Sequence, residues 1–166
     1  YPLRRQRQMC IRDRIDMVEE FYRQIRDTEY LYKGKEMTSE RKILRFDLFE
    51  EEFREYRSAK DKVERLDAVC DMLYIRLGTL LESMTSKYDL KNLLDYRLDK
   101  KINMIYGFVK ENGFGEILFQ AFSEVHRSNM SKRNKDGVIL RREDGKVIKG
   151  PDYFPPNLKQ FLEVRK

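Results

Sequence analysis

Apolar and polar positions recur from Ile15 onward with the period of an α-helix. The first example is the face formed by Val18, Phe21 and Ile25, which are three and four residues apart. Apolar residues with the same spacing continue along most of the chain. They predict four further helices, over about residues 38–57, 62–84, 90–110 and 115–130. Because short loops join most of these segments, we predict an all-α fold, an antiparallel helical bundle of about five helices.

The pattern changes in the last third of the chain. Two short segments with adjacent apolar residues, Val138–Leu140 and Lys146–Ile148, flank an Asp-Gly pair at 144–145, which is a strong turn signal between strands. We therefore predict a small C-terminal β-hairpin. The proline-containing residues 150–158 that follow predict an ordered, extended segment rather than a helix.

The first 14 residues differ in composition from the rest of the chain. They contain five arginines and one aspartate, and they lack the apolar stretch that a secretory signal needs. We predict that residues 1–14 form a non-native or disordered tail and that residues 15–166 form a single domain. A basic arm that contacts phosphate or a membrane is the alternative interpretation of this segment.

The net charge of the chain is less informative than it first appears. The 35 basic and 29 acidic residues give a net charge of +6, which by itself favours a nucleic acid or an acidic membrane as partner. Most of that excess lies in residues 1–14, and the remaining chain carries only +2. We therefore expect neither a nucleic acid nor a membrane as partner.

Two features bear on the compartment. The sequence has no run of about 18 apolar residues that could form a transmembrane helix. Its two cysteines, Cys10 and Cys70, are too few for a disulfide framework and indicate a reducing environment. We predict a cytoplasmic protein.

The second and third predicted helices carry acidic residues in an unusual arrangement. Glu51, Glu52 and Glu55 fall within an arc of about 100° on one helix. Asp67 and Asp71 are four residues apart on the next helix, between apolar positions. If the two helices pack antiparallel, all five carboxylates can surround one pocket. Oxygen ligands of this kind suit Mg²⁺ or Mn²⁺, whereas a solvated acidic surface is the alternative, above all for the glutamates.

Three sequence blocks resemble a known superfamily. Residues 51–55 read EEFRE and residues 67–71 read DAVCD, which are similar to the EExxE and DAxxD patterns of the all-α nucleotide pyrophosphohydrolases, the MazG-like enzymes. Residues 124–132 read EVHRSNMSK, which resembles the phosphoribosyl-ATP pyrophosphohydrolase-like branch. Residues 144–156 follow that branch in the same order, so the resemblance extends over about residues 15–158.

This resemblance implies hydrolysis of a nucleoside triphosphate between its α and β phosphates, which gives the nucleoside monophosphate and pyrophosphate. It also implies Mg²⁺, or Mn²⁺, as cofactor and a homodimer as the assembly. We expect Glu52, Glu55 and Asp71 to be the main metal ligands. Glu51 and Asp67 are expected to complete the catalytic site or to position the attacking water.

Five other residues are candidates for substrate binding, each with a structural role as the alternative. Lys132 and Lys149 can contact the triphosphate as point charges, and Asn129 can bind metal or phosphate. His126 can contact the substrate or serve as a hydrogen-bonding group within the fold. Tyr74 can pack against the base or fill the core.

The sequence departs from the family pattern in two places. Ala68 stands where the family usually has a glutamate, and residues 82–112 form an insertion between the second and third blocks.

Two alternative functions stay open. One is authentic phosphoribosyl-ATP hydrolysis in histidine biosynthesis, and the other is a catalytically inactive helical interaction or nucleic-acid-binding module.

Overall fold

The computed structural model describes residues 2–90 and 99–163, with side chains described from Ile11 onward. Within these ranges the protein is helical and contains no β-sheet, which confirms the all-α class. A π-helix, Tyr22–Arg26, follows the first α-helix. The α-helices are α1 (Pro2–Phe21), α2 (Ser39–Ser58), α3 (Lys62–Ser83), α4 (Lys100–Asn112), α5 (Leu118–Met130) and α6 (Lys159–Glu163).

Local capping determines where several helices begin and end. The side chains of Thr38 and Asp61 accept hydrogen bonds from the backbone amides of Arg41 and Glu64, at 3.2 and 2.9 Å, at the starts of α2 and α3. Asp99 caps α4 in the same way, so the helix predicted over 90–110 is interrupted there. Residues 91–98 of that prediction lie outside the described residues.

Helix α3 lies at the centre of the domain and packs against α1, α2, α4 and α5. Its apolar face is buried as the periodicity predicts: Leu66 and Val69 are completely buried and Leu73 and Leu77 nearly so. Burial of each such side chain contributes about 1.5–3 kcal/mol to folding. No helix within residues 2–90 and 99–163 is both long and apolar enough to cross a bilayer.

Helices α2 and α3 form an antiparallel pair. Arg41, near the start of α2, donates hydrogen bonds to Glu82, near the end of α3. Further along α2, Glu52 lies within electrostatic reach of Asp71, which precedes Glu82 on α3. This orientation brings the acidic parts of the two helices together, as the sequence predicts.

The N-terminal segment continues directly into the fold. Helix α1 runs without a break through Ile15, where the sequence predicts the domain to begin. Ile11 packs against the core, and buried Arg14 donates a hydrogen bond of 2.8 Å to the hydroxyl of Tyr106 on α4. The packed part of the chain therefore includes residues before Ile15, and the prediction that residues 1–14 form a non-native or disordered tail stays a prediction.

The predicted C-terminal β-hairpin is not present as a strand pair. Gly145 makes the expected turn, with φ of +82°. Pairing around it consists of an isolated bridge between Arg141 and Val147 and two backbone hydrogen bonds, from the Ile148 amide to the Leu140 carbonyl and from the Arg142 amide to the Lys146 carbonyl. A lone two-stranded hairpin is only marginally stable in water. This segment is instead attached by side chains: Val147 is buried in the core, and Arg141 donates a hydrogen bond to the π-helix.

Candidate active site

All five predicted acidic residues lie near one another on α2 and α3. Burial, together with the charges of four neighbouring carboxylates, raises the pKa of Glu52 to about 9. Those four belong to Asp71, Glu55, Glu51 and Asp67. The antiparallel pair thus collects the charges that the sequence places on separate helices. We call these five residues the acidic cluster.

The aspartates of α3 form the more enclosed side of the acidic cluster. Burial and the charge of Asp67 together raise the pKa of Asp71 to about 7. Burial and the charge of Glu55 raise the pKa of Asp67 as well. Ala68 lies between the aspartates and is buried, so it supplies no polar group at the position where the family usually has a glutamate. Glu52, Asp67 and Asp71, whose pKa values are raised, need a nearby cation to be ionised together at neutral pH.

Lysines of the C-terminal third face the acidic cluster. Lys132 is partly buried, which lowers its pKa to about 8 in spite of the opposing effect of Asp71. Lys149 is exposed, and its charge acts on both Asp67 and Asp71. Lys146, which the sequence did not single out, lies 3.3 Å from the carboxylate of Glu51. The segment predicted as a hairpin therefore brings cations to one side of the carboxylates.

Tyr74 and His126 are buried in the core beside the acidic cluster. The hydroxyl of Tyr74 lies 2.9 Å from Nδ1 of His126, and Nε2 of His126 lies 2.9 Å from the carboxylate of Glu20. The Tyr74 ring stacks on Phe122, with ring centroids 5.4 Å apart. Burial raises the pKa of Tyr74 well above its ordinary value, and Asn129 hydrogen-bonds to the same hydroxyl. For these three residues the contacts support the structural alternative, and substrate binding by them stays a prediction.

The donor set of the acidic cluster fits a hard cation such as Mg²⁺. It offers only carboxylate oxygens, and burial combined with mutual repulsion raises the pKa of three of its members. Among the described residues, no three His, Cys, Asp or Glu side chains converge closely enough to enclose a metal ion. The carboxylates of Glu52, Glu55 and Asp71 therefore do not converge on a single point in this structure, and metal binding by these three residues stays a prediction.

The EVHRSNMSK block also has a structural role that the sequence did not reveal. Glu124 accepts hydrogen bonds from the side chain of Arg127 and from the backbone amide of Asn157. Ser128 donates a hydrogen bond of 2.8 Å to the carbonyl of Phe154. These contacts fix the proline-containing segment against α5. The same helix end then leads directly into Lys132.

Fold and site together define an all-α protein with a carboxylate-rich helix pair opposed by lysines. Residues 18–97 match the model of the family described as phosphoribosyl-ATP pyrophosphohydrolase, in agreement with the resemblance seen in the sequence. Its members are pyrophosphohydrolases, hydrolases that act on acid anhydrides, which confirms the enzyme class predicted from the sequence. The match contains the whole acidic cluster and ends before the block at 124–132. No curated protein and no solved structure matches the chain significantly.

Proposed function

We propose that the protein hydrolyses a nucleoside triphosphate at the bond between its α and β phosphates. Water adds to the α phosphorus, the bond to the bridging oxygen breaks, and pyrophosphate leaves together with the nucleoside monophosphate. The observation that supports this reaction best is the acidic cluster facing Lys132 and Lys149. Carboxylates on one side and lysines on the other suit a polyphosphate that arrives with a divalent cation.

Glu52, Glu55 and Asp71 are the residues proposed to hold Mg²⁺, with Mn²⁺ as the alternative ion. When bound, the metal would neutralise the negative charge that develops on the phosphates and would make the attacking water more acidic. Glu51 and Asp67 remain available to accept a hydrogen bond from the attacking water and to orient it. We infer that Lys132 and Lys149 attract the triphosphate and stabilise the charge of the departing pyrophosphate.

The family match supports a second candidate substrate, phosphoribosyl-ATP, whose hydrolysis belongs to histidine biosynthesis. Both substrates contain the same triphosphate, so the acidic cluster and the lysines serve either one. Recognition of the base and sugar therefore separates the two candidates, and a direct comparison of substrates decides between them.

The test of this function measures pyrophosphate release from purified protein with Mg²⁺. The substrates are the common ribonucleoside and deoxyribonucleoside triphosphates and phosphoribosyl-ATP, each at the same concentration. We expect pyrophosphate and the monophosphate in equal amounts from at least one of them. Release from none would overturn the enzyme interpretation in favour of an inactive module. Orthophosphate as the product would show that a different bond is cleaved.

We expect Mg²⁺ to stabilise the protein more strongly as the pH rises. Metal binding requires ionised carboxylates, and the raised pKa values of Asp71 and Glu52, about 7 and about 9, mean that protons compete with the metal at neutral pH. The measurement is the shift in melting temperature on adding 5–10 mM Mg²⁺ at about pH 6 and pH 8.5. A shift several-fold larger at the higher pH is expected. An equal shift at both values would place the metal away from Asp71 and Glu52.

Two further properties remain proposals. A homodimer agrees with the exposed apolar side chains of Ile43 and Phe46 on α2, which are 61% and 55% exposed. A cytoplasmic location agrees with Cys70, a buried free cysteine whose pKa burial raises well above its ordinary value.

A further inference from the structure

The π-helix at the end of α1 contains Arg26, an arginine that no sequence motif singles out. Arg26 is the last residue of the π-helix, a type of helical turn that occurs frequently at functional sites. Its guanidinium carbon lies 5.4 Å from the ring centre of Phe21 and 5.2 Å from that of Tyr22. The Nε atom of Arg26 is buried and has no hydrogen-bond partner. A buried guanidinium donor without an acceptor is costly unless a ligand satisfies it.

A second cation lies at the same aromatic ring. The ammonium nitrogen of Lys132 is 5.9 Å from the ring centre of Phe21, and the charge of Arg26 contributes to lowering the pKa of Lys132. Within the described part of the chain, neither side chain forms an ion pair with a carboxylate at the distance expected for a salt bridge. Two partly buried cations near one ring, without a paired carboxylate, favour binding of an anion between them.

The C-terminal segment is joined to the π-helix at this point. Arg141 donates a hydrogen bond of 2.6 Å to the backbone carbonyl of Ile25, the residue before Arg26. The same segment carries Lys146 and Lys149, whose charges also act on Lys132. Cations from two parts of the fold, the π-helix and the C-terminal segment, therefore act on Lys132.

The positions of the acidic cluster, Lys132 and Arg26 indicate how a triphosphate would be oriented in the site. Asp71 is affected by Lys132 and Lys149, whereas Lys132 is affected by both Asp71 and Arg26. Lys132 therefore neighbours the acidic cluster through Asp71 and shares the ring of Phe21 with Arg26. The phosphate that reacts must lie nearest the metal and the attacking water, so Arg26 is placed to meet the phosphates furthest from the nucleoside.

We propose that Arg26 and Lys132 form a subsite for the terminal two phosphates, the part of the substrate that leaves as pyrophosphate. This inference rests on the proposed function. In it, the contact of Arg26 and Lys132 with the terminal phosphates favours binding of a triphosphate over a monophosphate. A guanidinium suits this role because its planar array of N–H donors can hold two phosphate oxygens at once. An ammonium group offers a single charged point and is a weaker substitute.

The test compares Arg26→Ala, Arg26→Lys and the control Arg23→Ala. Arg23 lies on the same π-helix, but its exposed side chain pairs with Glu19. Binding of inorganic pyrophosphate and of orthophosphate is measured by titration calorimetry, with and without Mg²⁺. We expect Arg26→Ala to weaken pyrophosphate binding about 10- to 100-fold. We expect Arg26→Lys to have an intermediate effect, Arg23→Ala to have almost none, and orthophosphate binding to change little in any variant.

Other outcomes separate this inference from the proposed function. If nucleotides are hydrolysed but Arg26→Ala binds pyrophosphate as the unmodified protein does, the subsite is wrong and the function stands. If pyrophosphate binding depends on Arg26 but no nucleotide is hydrolysed, the subsite stands and the function is wrong. Should Arg26→Ala fail to fold, Arg26→Gln retains the side-chain size and an amide donor. Unchanged pyrophosphate binding by a folded Arg26→Gln variant would overturn the subsite.

Discussion

Replacing Asp71 with asparagine is expected to remove pyrophosphate release and to make the metal-free protein more stable at alkaline pH. Activity falls by more than about a hundredfold because the change removes a proposed metal ligand. Stability rises because the folded protein holds Asp71 at a pKa of about 7, above its ordinary value of 3.8. If replacing Asp71 raises stability but removes activity, then Asp71 serves the function of the protein and not its stability.

The direction of the pH dependence follows from proton linkage. A carboxyl group whose pKa is raised by folding favours the folded state fully below the unfolded pKa, and this contribution is lost as the pH rises through the folded pKa. For Asp71 the loss develops between about pH 4 and pH 8. Asparagine does not ionise, so Asp71→Asn gains about 1–3 kcal/mol of unfolding free energy relative to the unmodified protein at pH 8.5, and much less at pH 5.

Urea unfolding at pH 5, 7 and 8.5 in the presence of a chelator measures this difference, and the pyrophosphate assay measures activity. Asp47→Asn is the matched control, because Asp47 is exposed on α2 outside the acidic cluster. It should leave both quantities unchanged. Full activity of Asp71→Asn would show that Asp71 is not a metal ligand. A variant that is less stable than the unmodified protein at pH 8.5 would show that Asp71 has a stabilising partner.

The helices that carry the acidic cluster could be predicted closely from the sequence. The predicted ranges of 38–57 and 62–84 correspond to Ser39–Ser58 and Lys62–Ser83. Apolar periodicity and the capping residues Thr38 and Asp61 are local signals, so they can be read without knowledge of the tertiary structure. Antiparallel packing then follows from the short loop, and it brings the five carboxylates together.

Features that depend on contacts between distant residues could not be predicted in the same way. Asp99 looks like a surface position in a continuous helical pattern, but it caps α4 and pairs with Arg76. The turn at Gly145 was predicted correctly because its signal is local. The strand pairing predicted around the turn is largely replaced by contacts between the side chains of this segment and the helices. The sequence around Arg26 contains no motif that indicates a function. Its surroundings include Lys132 and the C-terminal segment, which lie more than 100 residues away along the chain.

The interior of the domain contains a second charged group, which we expect to control stability rather than catalysis. Glu82 is 1% exposed and accepts two hydrogen bonds from Arg41, of 2.8 and 2.7 Å, and one from the hydroxyl of Tyr22. Arg45, 2% exposed, lies 3.7 Å from the same carboxylate. Burial acts to raise the pKa of Glu82, but hydrogen bonds from Arg41 and the charge of Arg45 outweigh it and hold the pKa below its ordinary value.

We expect Glu82→Ala to lower the free energy of unfolding by about 3–5 kcal/mol, because it leaves Arg41 and Arg45 without their shared carboxylate. Burial already lowers the pKa of Arg45 to about 10, and its Nη1 atom is buried without a hydrogen-bond partner. Without Glu82, the unfavourable burial of the Arg45 charge is no longer compensated by a nearby carboxylate. Urea unfolding at pH 7 measures the loss, and Glu82→Gln, which keeps an acceptor oxygen, should lose less.

Glu163→Ala provides the surface control, since Glu163 pairs with Lys159 while both side chains are more than half exposed. That change should alter stability by no more than about 0.5 kcal/mol. Because folding lowers the pKa of Glu82, its contribution is present above the unfolded pKa of about 4.5 and is lost as the pH falls through the folded value. The difference between Glu82→Ala and the unmodified protein should therefore shrink toward pH 3. A loss below about 1 kcal/mol at pH 7 would mean that water reaches the two arginines and replaces the carboxylate.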